Sequence, residues 1–292
     1  MNQLKLLISF ALIIHIQVFS QQKKSICQTA DDPSRIVSIG SSITEIIYFL
    51  NSQDQIIAID ITSNFPEDAK KFPSVGYIRN LSAEGLLSTN PSIIISEDDI
   101  GPKNIIKQIQ DTKTELRIIP EEQTLNGIIQ KIQCVGNIIG QQQEAEEKIS
   151  SEINPVINKI KEIKKEKDLS NIKIMMILST EGNSTVVAGA NTSGDSFIKM
   201  LGATNIFESI NGWKAVTAET ILLKNPDYII IPEKDLHKQS NVNTISENVI
   251  LKETNAGKNN GYIIKDGMAI LGYGPRTIFT LMDVLNTITD NN

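Results

Sequence analysis

The stretch that decides the fold is Ser82-Ala-Glu-Gly-Leu-Leu-Ser-Thr-Asn-Pro-Ser-Ile-Ile-Ile95, because a related sequence returns as Thr217-Ala-Glu-Thr-Ile-Leu-Leu-Lys-Asn-Pro-Asp-Tyr-Ile-Ile230. In each copy the first residue is a good helix cap, since its hydroxyl accepts a hydrogen bond from a free backbone N–H. The glutamate two residues later, Glu84 or Glu219, falls in the first turn, where the helix dipole favours an anion. Each helix should stop at Asn-Pro, and the apolar run that follows predicts a buried strand. The chain therefore contains two related halves, each with a carboxylate at an exposed helix start.

Short apolar strands and helices alternate on both sides of this stretch. Alternation of this kind is typical of a parallel or largely parallel sheet covered by helices. We therefore predict an α/β fold with two Rossmann-like lobes, residues 21–140 and 169–292. The turn that begins at Gly40 looks superficially like a phosphate-binding loop, but it matches neither Gly-x-Gly-x-x-Gly nor Gly-Lys-Ser/Thr.

Residues 141–168 differ from the rest in composition, being rich in Glu, Lys and Gln and free of glycine. Apolar residues recur every three or four positions and so predict one face of a long helix. They are Ala145, Ile149, Ile153, Val156, Ile160 and Ile163. Pro155 should bend this helix rather than end it. We interpret the segment as one rigid helix that joins the two lobes and permits only small lobe movements.

The overall composition limits the classes of function. The chain has 292 residues and a net charge of −6, which argues against a nucleic-acid partner, because such proteins usually carry a basic face. Residues 1–20 resemble an export signal, with Lys5, an apolar run and a small-residue pattern that predicts cleavage near Ser20. No later stretch is long and apolar enough to predict a membrane span.

The residues offer little for catalysis. Cys27 and Cys134 are the only cysteines, and the sequence leaves open whether they form a disulfide or stay as two thiols. Beyond the export signal the only histidine is His237, in a polar loop without a nucleophile motif. The acidic run 97–99 suits a solvated loop; its alternative is the metal site of a hydrolase. We therefore predict a protein that is not an enzyme.

Three motifs resemble those of periplasmic haem-binding proteins of ABC importers. They are Arg35-Ile-Val-Ser-Ile-Gly-Ser-Ser-Ile-Thr-Glu-Ile-Ile, Val75-Gly-Tyr-Ile-Arg-Asn-Leu-Ser-Ala-Glu-Gly and Leu271-Gly-Tyr-Gly-Pro-Arg-Thr. The resemblance runs from about Arg35 to Leu285 and implies the helical-backbone, class III, type of substrate-binding protein. That class also includes cobalamin and ferric-siderophore binders, so either cargo, or another porphyrin, is the alternative to haem.

The resemblance implies that Tyr77 is the axial ligand of the haem iron, with Arg79 beside it. The residue chemistry supports this role, because tyrosine phenolate ligates haem iron in proteins. A cation two residues away, on the same side of an extended segment, favours the phenolate. The alternative is a tyrosine whose ring only packs over a loop. Some relatives add a histidine from the second lobe; this chain has none where that lobe faces the cleft, which indicates five-coordinate haem or an unusual second ligand.

The internal repeat predicts further ligand contacts. Trp213 precedes Glu219 much as Tyr77 precedes Glu84, so equivalent loops should present both aromatic rings on opposite sides of one cleft. Trp213 would then cover the porphyrin face opposite the iron ligand, with ordinary core packing as the alternative. Lys214 and Arg276 are candidate partners for the haem propionates.

The resemblance also implies the partners of the protein. Glu84 and Glu219 would dock onto arginines of the permease of an ABC importer. Haem would be the transported ligand, the protein would act as a monomer in the periplasm, and an outer-membrane haem receptor would be linked to it indirectly.

Overall fold

The computed structural model describes residues 26–181, 184–233 and 248–290. The predicted export signal, residues 1–20, and His237 lie outside the described residues. Within them, no helix combines the length and the apolar character that crossing a membrane requires.

The first lobe is built on a four-stranded sheet in the order β2-β1-β3-β4. All neighbouring strands are parallel. The strands are β1 Ile36–Ile39, β2 Ile56–Ile59, β3 Ile93–Glu97 and β4 Glu115–Ile119. The connecting helices are α1 Ser41–Phe49, α2 Ala83–Leu87, α3 Lys103–Gln110 and α4 Leu125–Ile138. Because all four strands run the same way, their carboxyl ends and the loops that follow them lie at one edge of the lobe.

A long helix, α5, follows the first lobe. It comprises Gln142–Lys148, a π-helical turn at Ile149–Ile153 and Asn154–Glu166. The π turn ends two residues before Pro155, whose missing N–H cannot donate to a carbonyl of the preceding turn. The predicted apolar face is present: Ala145, Ile149, Ile153 and Ile160 are buried, and Ile157 joins them. This face packs into the same core cluster as α1, α4 and the last helix of the chain.

The second lobe has a six-stranded sheet in the order β10-β9-β5-β6-β8, with β7 also paired to β5. The strands are β5 Lys173–Glu181, β6 Ser184–Ala188, β7 Thr204–Asn205, β8 Trp213–Thr217, β9 Tyr228–Glu233 and β10 Tyr262–Asp266. The helices are α6 Ser193–Leu201, α7 Ala218–Lys224, α8 Val249–Lys252, α9 Asn255–Lys258, α10 Gly267–Leu271 and α11 Pro275–Asp290. The structure thus has the predicted α/β fold, with two lobes and a long helix between them.

The prediction of a largely parallel sheet is wrong for part of the second lobe. Strand β6 pairs antiparallel with β5, and β8 pairs antiparallel with β6. The reason is local, because Glu181 pairs with Ser184 and so short a connection cannot make the crossover that parallel strands require. The added strands have no counterpart in the first lobe.

The repeat itself is confirmed in the structure. Ser82 Oγ accepts the Gly85 N–H at 3.0 Å, and Thr217 Oγ1 accepts the Thr220 N–H at 3.4 Å. Each capped helix leads into a strand that pairs directly with the first strand of its lobe, β3 with β1 and β9 with β5. The two predicted carboxylates therefore sit at equivalent helix starts.

The two lobes share one continuous core. A single cluster of buried apolar side chains includes Ile43 from α1, Ile132 from α4, Phe197 from α6 and Leu281 from α11. Smaller clusters lie on the remaining face of each sheet. Because both lobes contribute to the main cluster, separating them would expose apolar surface to water.

The structure settles the open question about the cysteines. Cys27 and Cys134 form a disulfide that closes a sequence separation of 107 residues. It fastens the chain ahead of β1 to α4. Disulfides persist in oxidising compartments, so this bond agrees with a protein that works outside the cytoplasm.

We expect the disulfide to contribute strongly to stability. Closing a loop of this length lowers the entropy of the unfolded chain, so Cys27→Ser with Cys134→Ser should lower the free energy of unfolding by about 3–5 kcal/mol. Urea denaturation of the variant and of the wild type measures the difference. Reduced wild-type protein should match the double variant; equal midpoints for oxidised and reduced wild type would contradict the expectation.

Candidate ligand-binding site

Tyr77 lies on a turn that follows β2 at the carboxyl edge of the first sheet. The chain before it is held to β2 and its continuation by backbone hydrogen bonds, including Val75 N–H to Ile59 O at 2.8 Å and Ile61 N–H to Gly76 O at 2.9 Å. The turn closes with Asn80 N–H to Tyr77 O at 2.7 Å. Tyr77 is 38% exposed, so its ring is presented at the surface and does not simply fill the core.

Arg79 contacts Tyr77 as predicted, but through this turn and not along an extended segment. Its Nη1 donates to Tyr77 Oη at 2.5 Å, and its Cζ lies 5.8 Å from the centre of the ring. Its Nη2 lies 2.6 Å from Asp99 Oδ2. Partial burial alone would lower the pKa of Arg79. The charges and hydrogen bonds of Asp99 and Tyr77 have the larger, opposite effect, so the pKa of Arg79 is raised. The pair therefore brings a permanent cation to the phenol oxygen.

Two exposed apolar residues in the loop after β2 were missed by the sequence analysis. Ile61 is 60% exposed and Phe65 is 41% exposed, both in the loop that follows β2. The backbone bond from Ile61 to Gly76 places Ile61 directly beside the Tyr77 turn. A signal was available, because these are large apolar residues in an otherwise polar loop. Ile61 therefore adds apolar surface beside Tyr77, whereas the Phe65 ring lies against the Arg276 guanidinium.

The acidic run at the end of β3 does not form a metal site. Glu97 Oε1 accepts from the Ser42 N–H at 2.9 Å and from Ser42 Oγ at 2.6 Å. Asp98 accepts from the Glu121 N–H at 3.1 Å, and Asp99 pairs with Arg79. The three side chains thus serve three different partners, and the described part of the chain contains no cluster of His, Cys, Asp and Glu suited to a metal ion.

Glu97 also explains why the turn at Gly40 is not a phosphate site. Its carboxylate caps the start of α1, where a bound anion would otherwise sit. The approach is so close that a Cβ on Gly40, which has φ +100°, would come within 2.3 Å of Glu97 Cδ. Burial raises the pKa of Glu97 to about 7, against the opposing effects of Lys131 and the Ser42 hydrogen bonds.

This shift predicts a dependence of stability on pH. The pKa of Glu97 is about 7 in the folded protein and near 4.5 in the unfolded chain, so folding favours the protonated carboxyl. The stability that this preference provides is fully present below pH 4.5 and is lost as the pH rises through about 7. Burial also raises the pKa of Glu45 and of Glu121, which act in the same direction. Between pH 5 and pH 8 the free energy of unfolding of the wild type should therefore fall. In the Glu97→Gln variant this fall should be smaller by about 2–3 kcal/mol.

Denaturation at both pH values measures the two falls, and the exposed Glu122→Gln is the control. Equal falls in the wild type and in Glu97→Gln would contradict the prediction.

Trp213 is placed differently from Tyr77. It begins β8 and pairs with Ala188 of β6, so it is part of a strand and not of a loop equivalent to the Tyr77 turn. The prediction of equivalent loops is wrong because the added antiparallel strands draw residues 213–217 into the sheet. The half-buried ring packs against the main core, and its Cη2 would lie 2.9 Å from a Cβ on Gly194 at the start of α6. Its neighbour Lys214 is exposed and remains a candidate for an anionic group.

Arg276 lies between the lobes, bound to other protein groups. Its backbone N–H and its Nε each donate to the carboxylate of Glu45 on α1, at 2.7 Å. Its Nη1 lies 3.3 Å from Asp266, and its Cζ lies 3.7 Å from the centre of the Phe65 ring. With 19% of its side chain exposed, Arg276 braces the first helix of one lobe against the last helix of the other. These surroundings do not support the prediction that it meets a propionate.

A second set of polar contacts crosses the lobe boundary nearby. The buried Nζ of Lys131 on α4 forms an ion pair with Glu121. It also lies 3.0 Å from Ser42 Oγ and 3.1 Å from the carbonyl oxygen of Tyr273, which precedes α11. Tyr273 Oη in turn donates to the Ser193 carbonyl at 2.5 Å. Because breaking such buried contacts leaves uncompensated polar groups, they oppose large movements of one lobe against the other.

Glu84 and Glu219 are both exposed at the starts of α2 and α7. Bonds from its own backbone N–H and from Thr217 lower the pKa of Glu219, so it is ionised at neutral pH. Neither carboxylate is needed to fill the interior. Both are exposed and therefore accessible to a cationic partner.

Comparison with protein families matches residues 36–266 to the family described as periplasmic binding protein. The chain belongs to this family. Proteins of the family act outside the cytoplasm, bind solutes for ABC transporters and are not enzymes. The fold of this periplasmic binding protein is that of class III, as the resemblance of its motifs implied.

Solved structures of similar chains cover most of this binding protein. The periplasmic heme-binding protein RhuT from Roseiflexus sp. RS-1 is 29% identical with a TM-score of 0.79, over 88% of this chain and 98% of that one. The periplasmic heme-binding protein HutB of Vibrio cholerae is 29% identical with a TM-score of 0.76, over 88% and 99%.

Two curated relatives match a shorter part of the chain. The uncharacterized ABC transporter substrate-binding lipoprotein YvrC of Bacillus subtilis (strain 168) is 24% identical, over 68% of this chain and 63% of its own length. The vitamin B12-binding protein of Pectobacterium carotovorum subsp. carotovorum (strain PC1) is 22% identical, over 68% and 71%. Members of the family similar to this chain thus include proteins named for two different cargoes.

Proposed function

We propose that this binding protein carries haem, with Tyr77 as the axial ligand of the iron, and delivers it to the permease of an ABC importer. The observation that carries the proposal is the exposed phenol of Tyr77, to which Arg79 donates at 2.5 Å. A surface phenol bonded to a guanidinium serves no evident packing purpose. It does suit a ligand that needs a phenolate oxygen, as haem iron does.

The surroundings of the phenol fit the rest of the haem molecule. Ile61 offers exposed apolar surface beside the Tyr77 turn, which suits a flat, largely apolar macrocycle. Lys214 is exposed on β8 and is our candidate for a propionate. Trp213 stays a proposed contact at the edge of the second lobe. The sequence of the described residues contains no histidine, so we propose five-coordinate haem or an unusual second ligand.

Delivery is proposed to use the two glutamates at equivalent helix starts. A binding protein must present its cleft to a permease in one orientation, and two fixed carboxylates define such an orientation. Because both lobes share one core, the distance between Glu84 and Glu219 changes little on ligand binding. We place the protein in the periplasm and treat it as a monomer, linked indirectly to an outer-membrane haem receptor.

Cobalamin is the second candidate cargo, favoured by the similarity to vitamin B12-binding proteins. Separate titrations of the purified protein with haemin and with cyanocobalamin distinguish the two. We expect haemin to bind at a saturable site with a shifted Soret band, and cyanocobalamin to leave intrinsic fluorescence and melting temperature unchanged. Saturable binding of cyanocobalamin without binding of haemin would replace the proposed cargo.

A further inference from the structure

We infer that Asp99 is a positioning residue that holds the Arg79 guanidinium against the Tyr77 phenol. The inference rests on the proposed haem function and adds to that site a residue from the loop after β3. The three side chains form a series, with Asp99 Oδ2 2.6 Å from Arg79 Nη2 and Arg79 Nη1 2.5 Å from Tyr77 Oη. The two ends of one guanidinium therefore serve two different oxygens.

The backbone fixes both ends of this series in place. The loop after β3 is bonded to the Tyr77 turn by Gly101 N–H to Ile78 O at 2.9 Å and by Leu81 N–H to Gly101 O at 2.9 Å. Ile78 and Ile100 are buried in the same apolar cluster. Gly101 fits closely, because a Cβ there would lie 3.0 Å from the Arg79 carbonyl oxygen. Asp99 thus reaches Arg79 from a rigid neighbouring loop.

The Arg79 side chain needs this support. It is 62% exposed, and an exposed arginine with several rotatable bonds has many rotamers from which Nη1 misses the phenol. The Asp99 side chain is 34% exposed, and among the described residues its Oδ1 is buried without a hydrogen-bond partner. The carboxylate is therefore turned towards Arg79 and does not bind a network of other donors.

The contact with Asp99 also determines the side from which Arg79 approaches the phenol oxygen. When Asp99 holds Nη2, the remaining Nη1 approaches Tyr77 Oη from one side only. A phenolate oxygen has lone pairs to spare, so the side away from Arg79 stays available to an iron atom. Without Asp99 the guanidinium is free to cross that side or to turn into solvent.

Asp99→Asn tests the inference, with Asp98→Asn as the matched control. Both variants remove one negative charge from the same loop, but Asp98 accepts from the Glu121 N–H, whereas Asp99 is the residue that pairs with Arg79. Asp99→Asn should weaken haemin binding about fivefold, as expected for a half-exposed ion pair, and shift the phenolate-to-iron charge-transfer band. Asp98→Asn should change haemin affinity by no more than about twofold and leave the band in place. Asp99→Glu keeps the carboxylate and should therefore weaken haemin binding less than Asp99→Asn.

The Arg79→Ala background separates positioning from a general structural effect. If Asp99 acts through Arg79, then adding Asp99→Asn to Arg79→Ala should cause no further loss of haemin affinity. Equal behaviour of Asp99→Asn and Asp98→Asn, or a full additional loss in the Arg79→Ala background, would overturn the inference.

A measurement on the ligand-free protein keeps this test separate from the proposed cargo. Nitrogen-15 NMR of the Arg79 guanidinium should show faster rotation and hydrogen exchange in Asp99→Asn than in the wild type or in Asp98→Asn. Unchanged Arg79 signals would overturn the positioning role. A wild type that fails to bind haemin, with the expected Arg79 signals, would instead remove the haem proposal alone.

Discussion

Replacing Tyr77 by phenylalanine is expected to weaken haemin binding by about 100-fold or more and to abolish the phenolate-to-iron charge-transfer band. The substitution deletes the only oxygen that we propose for the iron and leaves the ring in place. Tyr77 is 38% exposed, and its described polar partner is the largely exposed Arg79. The free energy of unfolding should therefore change by no more than about 0.5 kcal/mol.

Tyr48→Phe is the matched control for this variant. Tyr48 is another partly exposed tyrosine of the first lobe, and its hydroxyl donates to Asp68 at 3.4 Å. The Tyr48→Phe variant should bind haemin with the affinity of the wild type. Normal affinity and an unchanged spectrum in Tyr77→Phe would show that the iron has another ligand.

Combining Glu84→Ala with Glu219→Ala is expected to reduce haem transfer into vesicles carrying the cognate permease to background. Loss of one partner of a buried charge pair weakens a complex roughly 30-fold or more, and this variant removes two. Haemin affinity should stay normal, because both carboxylates lie at exposed helix starts. Thermal stability should fall little, since Ser82 and Thr217 continue to cap the two helices.

The control for delivery is Glu146→Ala with Glu162→Ala. These two exposed glutamates lie on α5, and their loss changes the net charge by the same amount. The control should transfer haem normally. Normal transfer by the Glu84/Glu219 variant would show that those residues serve only the helix starts, and loss of its haemin binding would place them in the ligand site.

The features that the sequence predicted well depend on neighbours along the chain. The caps at Ser82 and Thr217, the stop of α7 at Asn225 and the apolar stripe of α5 all arise from residues a few positions apart. Such local preferences act before any long-range contact forms. Two copies of one such unit then sufficed to predict two lobes with equivalent helix starts.

The errors in the second lobe arise from pairing between distant segments. Nothing near Trp213 indicates that residues 213–217 will pair with β6, and this pairing removes the ring from a loop like that of Tyr77. The role of Arg276 depends on Glu45, which lies in the other lobe. Single-chain patterns do not reveal such partners, because the partner is chosen by the packing of whole helices.

The candidate site was predicted in part. Tyr77 and Arg79 are two residues apart, and their contact follows from a local turn. Asp99 lies in the loop after β3, whereas Arg79 lies on a turn after β2, so their contact needs the sheet order β2-β1-β3 and the bonds between the two loops. The acidic run looked like one cluster in the sequence, yet Glu97, Asp98 and Asp99 point to three different partners.

The central claim is that Tyr77 binds the iron of haem, and the resonance Raman spectrum of the haemin-loaded protein tests it most directly. Excitation in the charge-transfer band should enhance the ring modes of a phenolate bound to ferric iron, and these modes should be absent from the haemin complex of Tyr77→Phe. A haemin complex of the wild type without phenolate modes, or one of Tyr77→Phe that retains them, would contradict the assignment.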